Sequence, residues 1–474
     1  MKRYSTIALL LATVVAAGCK DNPVANPIDA PTVDALGELN RTSLRQLAIG
    51  VLAQDRTSTN TTASSIISAI YSRDVYRVDA SEPRYVSETL GGQPDPGSFA
   101  GSGAFAGFYT AIRAANTLLL SLESAPASQF TSEEVSATKG FIRTMKAIDY
   151  YKIMEMHDTV GAPIQSEDPA EVTDVRCKTA VLAYVAALLD SANADFSAAG
   201  PGTELPFTLP TGFTAFGWDY STVDNLIRFN RGWKGKVDFY RGMDHQNPQP
   251  ALFPAAITEL TEALGGAAPG AVPPSDFMTG AWYVLVPGGS ENEANVISDA
   301  KIGLNPQVKD SIQAGDTRAS KIVSRPLMSA NYNGGTISTT TTYIGAVASS
   351  ANQAAPLAIL RDEELVLLRA QAYIEAGQLL NARADINDVR TNYGLAAHLP
   401  FTSKDAAITA LLYEKRYSLL FEGPQRLADL RAYSRLSSTY FKPELPGDPY
   451  NAALPLPRAE LNARGLTTNP ACTP

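Results

Sequence analysis

Apolar residues recur every three to four positions over most of this chain, the spacing of helices that bury one face. From Phe105 to Leu122 they fall at Phe108, Ile112, Leu119 and Leu122, and the pattern stops near Pro126. The next segment opens at Phe130-Thr131-Ser132-Glu133-Glu134-Val135, where Thr131 and Glu134 form a capping box and Phe130 and Val135 sit at staple positions. It predicts a helix through Ile142, Met145, Ile148 and Tyr151 to about His157, ending before Gly161-Ala162-Pro163. These two segments are expected to form a helical hairpin. Ala180 to Phe196 and Asn225 to Tyr240 predict a second pair, followed by a short helix from Phe253 to Leu264. Leu365 to Ala376 and Leu380 to Asn392 predict two helices joined at Gly377. A further helix from about Thr402 to Phe421 carries Ile408, Leu411, Leu412 and Leu419 on one face.

In the pair joined at Gly377, Ala370, Tyr373, Ala382 and Ile386 occupy the offsets at which a tetratricopeptide repeat places its small and bulky packing residues. Small residues let two helices approach closely, and bulky ones fill the groove that remains. Between Gly265 and Ala355 the helical period vanishes, and Gly, Pro, Ser, Thr and Asn dominate, as in Gly334-Gly335-Thr336-Ile337-Ser338-Thr339-Thr340-Thr341-Thr342. This region reads as long loops with a few short strands or turns, and Tyr71 to Gly103 has the same texture. The expected fold is therefore mostly α, with tetratricopeptide-like helical hairpins, long irregular loop insertions and little β.

The start of the chain has a different character. Met1-Lys2-Arg3 is basic, and the apolar run from Ile7 to Ala17 is shorter than the ~20 residues that span a bilayer. Val15-Ala16-Ala17-Gly18-Cys19 resembles the lipobox of bacterial lipoproteins, with Ala16 where Leu is more usual. The resemblance implies a signal peptide over 1–18 and acylation of Cys19 as the lipid anchor. Lys20-Asp21 resembles the short charged tag that directs some lipoproteins of Bacteroidetes-like bacteria to the outer cell surface. Residues 19–36 are rich in Pro, Asn, Asp and Thr, with Pro23, Pro27 and Pro31 blocking a helix, and read as a flexible tether. The globular part is then 37–474, divided into N-terminal hairpins (37–264), the variable insertion (265–355) and a C-terminal helical segment (356–474).

Composition narrows the partners. A chain of 474 residues with 45% hydrophobic and 18% charged residues holds a real core. Its net charge of -9 argues against nucleic acid or anionic lipid as a main partner, because both need a basic surface. With Cys19 acylated in an oxidising compartment, Cys177 and Cys472 are left either as a disulfide or as two thiols, and spacing does not choose between them.

Several segments together resemble the SusD/RagB family of outer-membrane nutrient-uptake lipoproteins. Tyr413-Glu414-Lys415-Arg416-Tyr417-Ser418-Leu419-Leu420-Phe421-Glu422-Gly423, continued by Arg426 and Asp429-Leu430-Arg431, is similar to the family signature ERR-x-EL-x-FEG-x-R-x-x-DL-R. Ile386-Asn387-Asp388-Val389-Arg390 matches its IN-x-VR, and Leu454-Pro455-Leu456-Pro457-Arg458-Ala459-Glu460 resembles its closing segment. Upstream, Ile142-Arg143-Thr144-Met145-Lys146-Ala147 and Gly161-Ala162-Pro163-Ile164 echo two further family segments. Ser418 replaces a common Glu, and Pro424-Gln425 departs from the usual residues beside the Arg. The resemblance implies capture of an oligosaccharide or peptide at the cell surface and delivery to a TonB-dependent SusC-like β-barrel transporter.

Candidate chemistry agrees with binding. Glu414, Arg416, Glu422, Gly423, Arg426, Asp429 and Arg431 form the motif, and its alternating acids and bases amid Leu419, Leu420 and Phe421 are expected to pair within the frame. Asp385 and Arg390 read the same way. The three histidines, His157, His245 and His398, lack metal-ligand spacing, there is no Gly-x-Ser-x-Gly elbow, and no catalytic residue, metal or cofactor is expected. Aromatic rings on loops stack on sugar faces while neighbouring amides bond hydroxyls. The candidates are Trp218, Tyr220, Trp282, Tyr283, Asn331, Tyr332, Asn333, Tyr85 and Phe99. Two other readings stay open: an envelope glycoside hydrolase or lyase on a helical-repeat frame, and a tetratricopeptide-type adaptor between proteins.

Overall fold

The computed structural model describes residues 38–97, 102–166, 171–289 and 293–474. The expected signal peptide, Cys19, the tether and Phe99 lie outside the described residues. Among the described residues, ten helices of eight residues or more form the frame. They are α1 (Arg41–Thr59), α2 (Ala106–Glu123), α3 (Ser132–His157), α4 (Lys178–Ala199), α5 (Val223–Gly242), α6 (Phe253–Ala263), α7 (Asp362–Glu375), α8 (Leu379–Asn392), α9 (Lys404–Ser418) and α10 (Gln425–Ala432). Helix α3 starts where its caps predict: Thr131 Oγ1 accepts from the Glu134 N–H at 3.1 Å, and the Glu134 carboxylate accepts from the Thr131 N–H at 3.0 Å. No described helix is long and apolar enough to cross a membrane.

The helices pack as a run of neighbours, α1 on α2, α3 on α4, α5 on α6 and α7 on α8, with α9 closing over α7 and α8. Both expected pairings, α2 with α3 and α4 with α5, are present, but neither is the most extensive contact of its helices. Helix α3 pairs most extensively with α4 rather than with α2, and α5 with α6 rather than with α4. Glycines explain the choice. A Cβ on Gly140 of α3 would stand 2.6 Å from the Phe196 ring of α4, and one on Gly235 of α5 would stand 2.6 Å from Leu260 of α6. Each glycine lets a bulky neighbour press against bare backbone.

Two further corrections concern elements the pattern concealed. Helix α1 was not expected, because only Leu44, Ala48, Val51 and Leu52 make its buried apolar stripe. The 265–355 region holds more order than loops with short strands. Strands β6 (Ile322–Tyr332) and β7 (Gly335–Tyr343) form a long antiparallel hairpin that pairs from Ile322↔Tyr343 to Tyr332↔Gly335. Its turn is Asn333-Gly334, both at positive φ (47° and 75°), the conformation that tight hairpin turns require. The Thr-rich run is thus a strand that turns Ile337, Thr339 and Thr341 inward. The other strands are short: β1 (Val75–Arg77) pairs with β5 (Ile302–Leu304), β2 (Ala162–Pro163) with β3 (Val175–Arg176), and β4 (Gly280–Tyr283) with β8 (Leu357–Arg361).

The C-terminal tail is fastened back onto the frame. Cys177 and Cys472 form a disulfide, and the Cys177 N–H donates to the Thr473 carbonyl at 2.8 Å. Thr473 N–H donates in turn to the Val175 carbonyl at 2.8 Å.

Candidate ligand-binding cleft

Strands β4 and β8 lead into a cleft of about 360 Å³ that runs inward between the helices. Its outer part is apolar, lined by Met278, Trp282, Tyr343, Leu357, Ile359 and Phe421. The register of β4 against β8 shifts between Ala281 and Trp282, a bulge that re-aims the strand beside the cleft. Trp282 is fixed by its Nε1–H, which donates to the Met278 carbonyl at 3.2 Å, and by the Phe216 ring at 5.4 Å. Opposite it, Tyr343 stacks on Phe421 with ring centroids 4.9 Å apart and planes 27° from parallel. Phe421 adopts φ of 65°, so α9 stops at Ser418, three residues before its expected end, and the chain turns through Gly423 at φ 79°. A bulky residue held in the left-handed region marks a site the surrounding structure over-determines. Met278 is 55% exposed and stands at the mouth.

The floor is charged, and its charges are paired. Arg361 forks onto both oxygens of Glu422, at 2.7 and 2.8 Å, and also bonds Glu363. Burial would raise the Glu363 pKa, but the Arg361 charge and the bonds it receives outweigh burial and hold it below the usual carboxylate value. Lys236 lies between Glu364 at 3.1 Å and Glu155 at 3.3 Å. Burial works against its charge, yet the two carboxylates raise its pKa above that of a free lysine. Lys321 donates to the Tyr417 and Ser418 carbonyls at 2.8 and 2.7 Å. Burial foremost lowers its pKa.

Lys152 borders the inner end, held by Asp55 at 2.8 Å and Thr59 at 2.7 Å. Behind it Asp149 is fully buried, and neither of its carboxyl oxygens accepts a hydrogen bond from a donor. Burial, then repulsion from Asp55, keeps its pKa well above the usual carboxylate value despite Lys152 nearby. Such a group takes up a proton on folding, so its favourable state is complete below the unfolded pKa of about 4 and erodes as pH rises through the folded pKa. Asp149→Asn removes this titration, so its stability relative to the parent should rise between pH 4 and pH 8. Urea unfolding at both pH values measures this, and an unchanged difference between variant and parent would refute it.

Of the eight ring and amide candidates among the described residues, the structure places only Trp282 on this cleft. Tyr283, its strand neighbour, points the other way and donates its hydroxyl to Asp55. Tyr220 is buried beside Phe229, and Tyr332 is buried with its hydroxyl donating to Asp448 at 2.5 Å. Tyr85 is buried beneath the Arg77 guanidinium, 3.9 Å from its ring centre. These four rings pin loops to the frame and are not free to stack on a ligand. Trp218 is half-buried, with the Arg228 guanidinium 4.2 Å over its face. Asn331 accepts from Thr336 at 2.6 Å, and Asn333 donates to the Gly91 carbonyl at 2.9 Å, both at the tip of the β6–β7 hairpin.

The motif residues lie mostly in the frame. Glu414 bonds Arg318 and Arg390, Arg416 and Arg426 share Asp74, and Asp429 accepts from Tyr240 and Gln371. Arg431 donates to the carbonyls of Glu155 and Ala452, and Asp385 pairs with Arg369 at 2.8 Å. Glu422 and Gly423 differ, since both line the cleft. Sequence reasoning missed Tyr343, Met278, Lys321, Arg361, Trp233 and Lys236 as lining residues; the one local signal available was the glycine that follows Phe421-Glu422.

No protein-family model matches the chain, and no curated protein matches it. Solved structures do. A SusD superfamily protein from Bacteroides fragilis matches with a TM-score of 0.66 at 14% identity, covering 92% of this chain and all (100%) of that one. One from Parabacteroides distasonis gives 0.65 at 11% identity, covering 91% and 98%. A protein from Bacteroides vulgatus described as a SusD-like carbohydrate-binding protein gives 0.57 at 14% identity, covering 83% of each chain. With near-complete coverage and the same helical frame, this chain has the SusD-like fold.

Proposed function

We propose that this protein is a surface lipoprotein that captures an oligosaccharide or a peptide in the cleft and hands it, unchanged, to a TonB-dependent SusC-like β-barrel transporter in the outer membrane. Acylated Cys19 and the tether after it would hold it to that membrane, with the SusD-like domain facing the cell exterior. The observation that carries the reading is the aromatic and apolar shelf of Trp282, Tyr343, Phe421 and Met278 over a polar floor. A ring-bearing shelf takes the apolar face of a sugar or a side chain, and the polar groups beneath fix its orientation. The floor carboxylates Glu155, Glu364, Glu363 and Glu422 each face a cation, an arrangement suited to holding a ligand more than to moving protons. The likeness to a SusD-like carbohydrate-binding protein favours a glycan.

Tryptophan fluorescence and calorimetric titration with oligosaccharides and with peptide pools test this reading. Trp282→Ala should weaken the best ligand about tenfold, equivalent to about 1.4 kcal/mol, while circular dichroism stays unchanged. Parent-like affinity in that variant would remove the cleft as the binding site.

A further inference from the structure

The charged groups that line the cleft bear on which ligands it admits. Every cation that lines it is already engaged: Lys236 by two carboxylates, Arg361 by two, Lys152 by Asp55, and Lys321 by two backbone carbonyls. Four cations line the cleft with four carboxylates, so the charges balance, and two of the cations are each shared by a pair of carboxylates. An entering carboxylate or sulfate would have to draw Lys236, Arg361 or Lys152 away from a carboxylate, or Lys321 away from the two carbonyls that already take its protons.

The lining atoms there without a hydrogen-bond partner are the Trp233 indole nitrogen, the Gln425 amide oxygen and one carboxylate oxygen each of Glu155, Glu363 and Glu364, with no lysine or arginine nitrogen among them. Trp233 is 2% exposed and lines the cleft, and its Nε1–H has no acceptor. Gln425, 6% exposed, donates its amide to the Glu422 carbonyl at 3.0 Å and leaves its Oε1 without a donor. A buried polar atom with no partner calls for one, and these two supply one donor and one acceptor. The π-helical turn Ala63–Ile67 brings Ser64 and Ser65 to the same lining. Such turns are uncommon and cluster at functional sites.

We infer that the cleft selects a glycan end that is neutral or amino-bearing, with hydroxyls answering Trp233 and Gln425, and rejects glycans whose bound end carries a carboxylate or sulfate. The inference rests on the reading of this cleft as a sugar site.

A glycan array displaying neutral, amino-bearing, uronate-bearing and sulfated oligosaccharides, followed by calorimetry on the full chain, tests it. Binding should be confined to the first two classes, with acidic counterparts of a bound glycan at least tenfold weaker. Trp233→Phe keeps a six-membered ring and removes the donor; it should weaken the bound glycan threefold or more while the circular dichroism spectrum stays that of the folded parent. Glu364→Gln should narrow the gap between neutral and uronate glycans at least threefold. Acidic glycans bound as tightly as neutral ones, or parent-like affinity in Trp233→Phe, would overturn the inference while leaving sugar capture intact. Silence across all four classes would instead overturn sugar capture, and this inference with it.

Discussion

Glu414→Ala should destabilise the protein by about 3–5 kcal/mol, the usual result of removing one partner from a buried ion pair. Glu414 is fully buried and accepts from Arg318 at 2.6 Å and from Arg390 at 2.9 Å. Arg318 is 2% exposed and is also forked by Asp316 at 2.9 and 2.8 Å. Without Glu414, Arg318 keeps one carboxylate and Arg390 keeps none, with only Gln313 and the Ala396 carbonyl as acceptors. Two guanidinium groups would then share a deficit that water does not reach. The network joins the segment before β6 to helices α8 and α9, so its loss loosens the whole C-terminal frame. Urea unfolding at neutral pH measures the effect, and a loss below 1 kcal/mol would show that the pairs are replaceable.

Removing the Cys177–Cys472 disulfide is the second large perturbation. The bond joins residues 295 positions apart, so it closes a loop over most of the folded chain. Opening that loop frees the unfolded state, and the chain-entropy argument gives about 3–5 kcal/mol for long loops. The folded state should change little. The tail keeps its bonds to Val175 and Cys177, and Arg464 still donates to the Thr173 carbonyl at 2.7 Å. A Cys177→Ser, Cys472→Ser double variant should therefore show a near-parent circular dichroism spectrum and a clearly lower urea midpoint. An unchanged midpoint would mean that the denatured chain is already compact around this contact.

The helices were accessible from sequence because their determinants are local: Thr131 and Glu134 stop and start the backbone within one turn, whatever the rest of the chain does. Which of the pairings is the most extensive was not, because that depends on which bare glycine meets which ring, and Gly140 against Phe196 spans two helices. The β6–β7 hairpin carried its own signal in Asn333-Gly334, but the surrounding Thr and Ser masked the alternation of inward residues. The ring candidates fared worst for a simple geometric reason. Trp282 and Tyr283 are adjacent on one strand, so one lines the cleft and the other is buried against Asp55. The cleft itself draws on separated segments, from the π-turn near Ser64 to the turn at Gly423, and no local spacing announces it.

The turn at Phe421-Glu422-Gly423 carries two duties at once. Glu422 clamps Arg361, and Phe421 supplies a ring to the cleft wall. Substitution therefore has little freedom on that side, where any change of shape also unclasps the scaffold. Met278, 55% exposed on the connecting segment before β4, leaves more room for change.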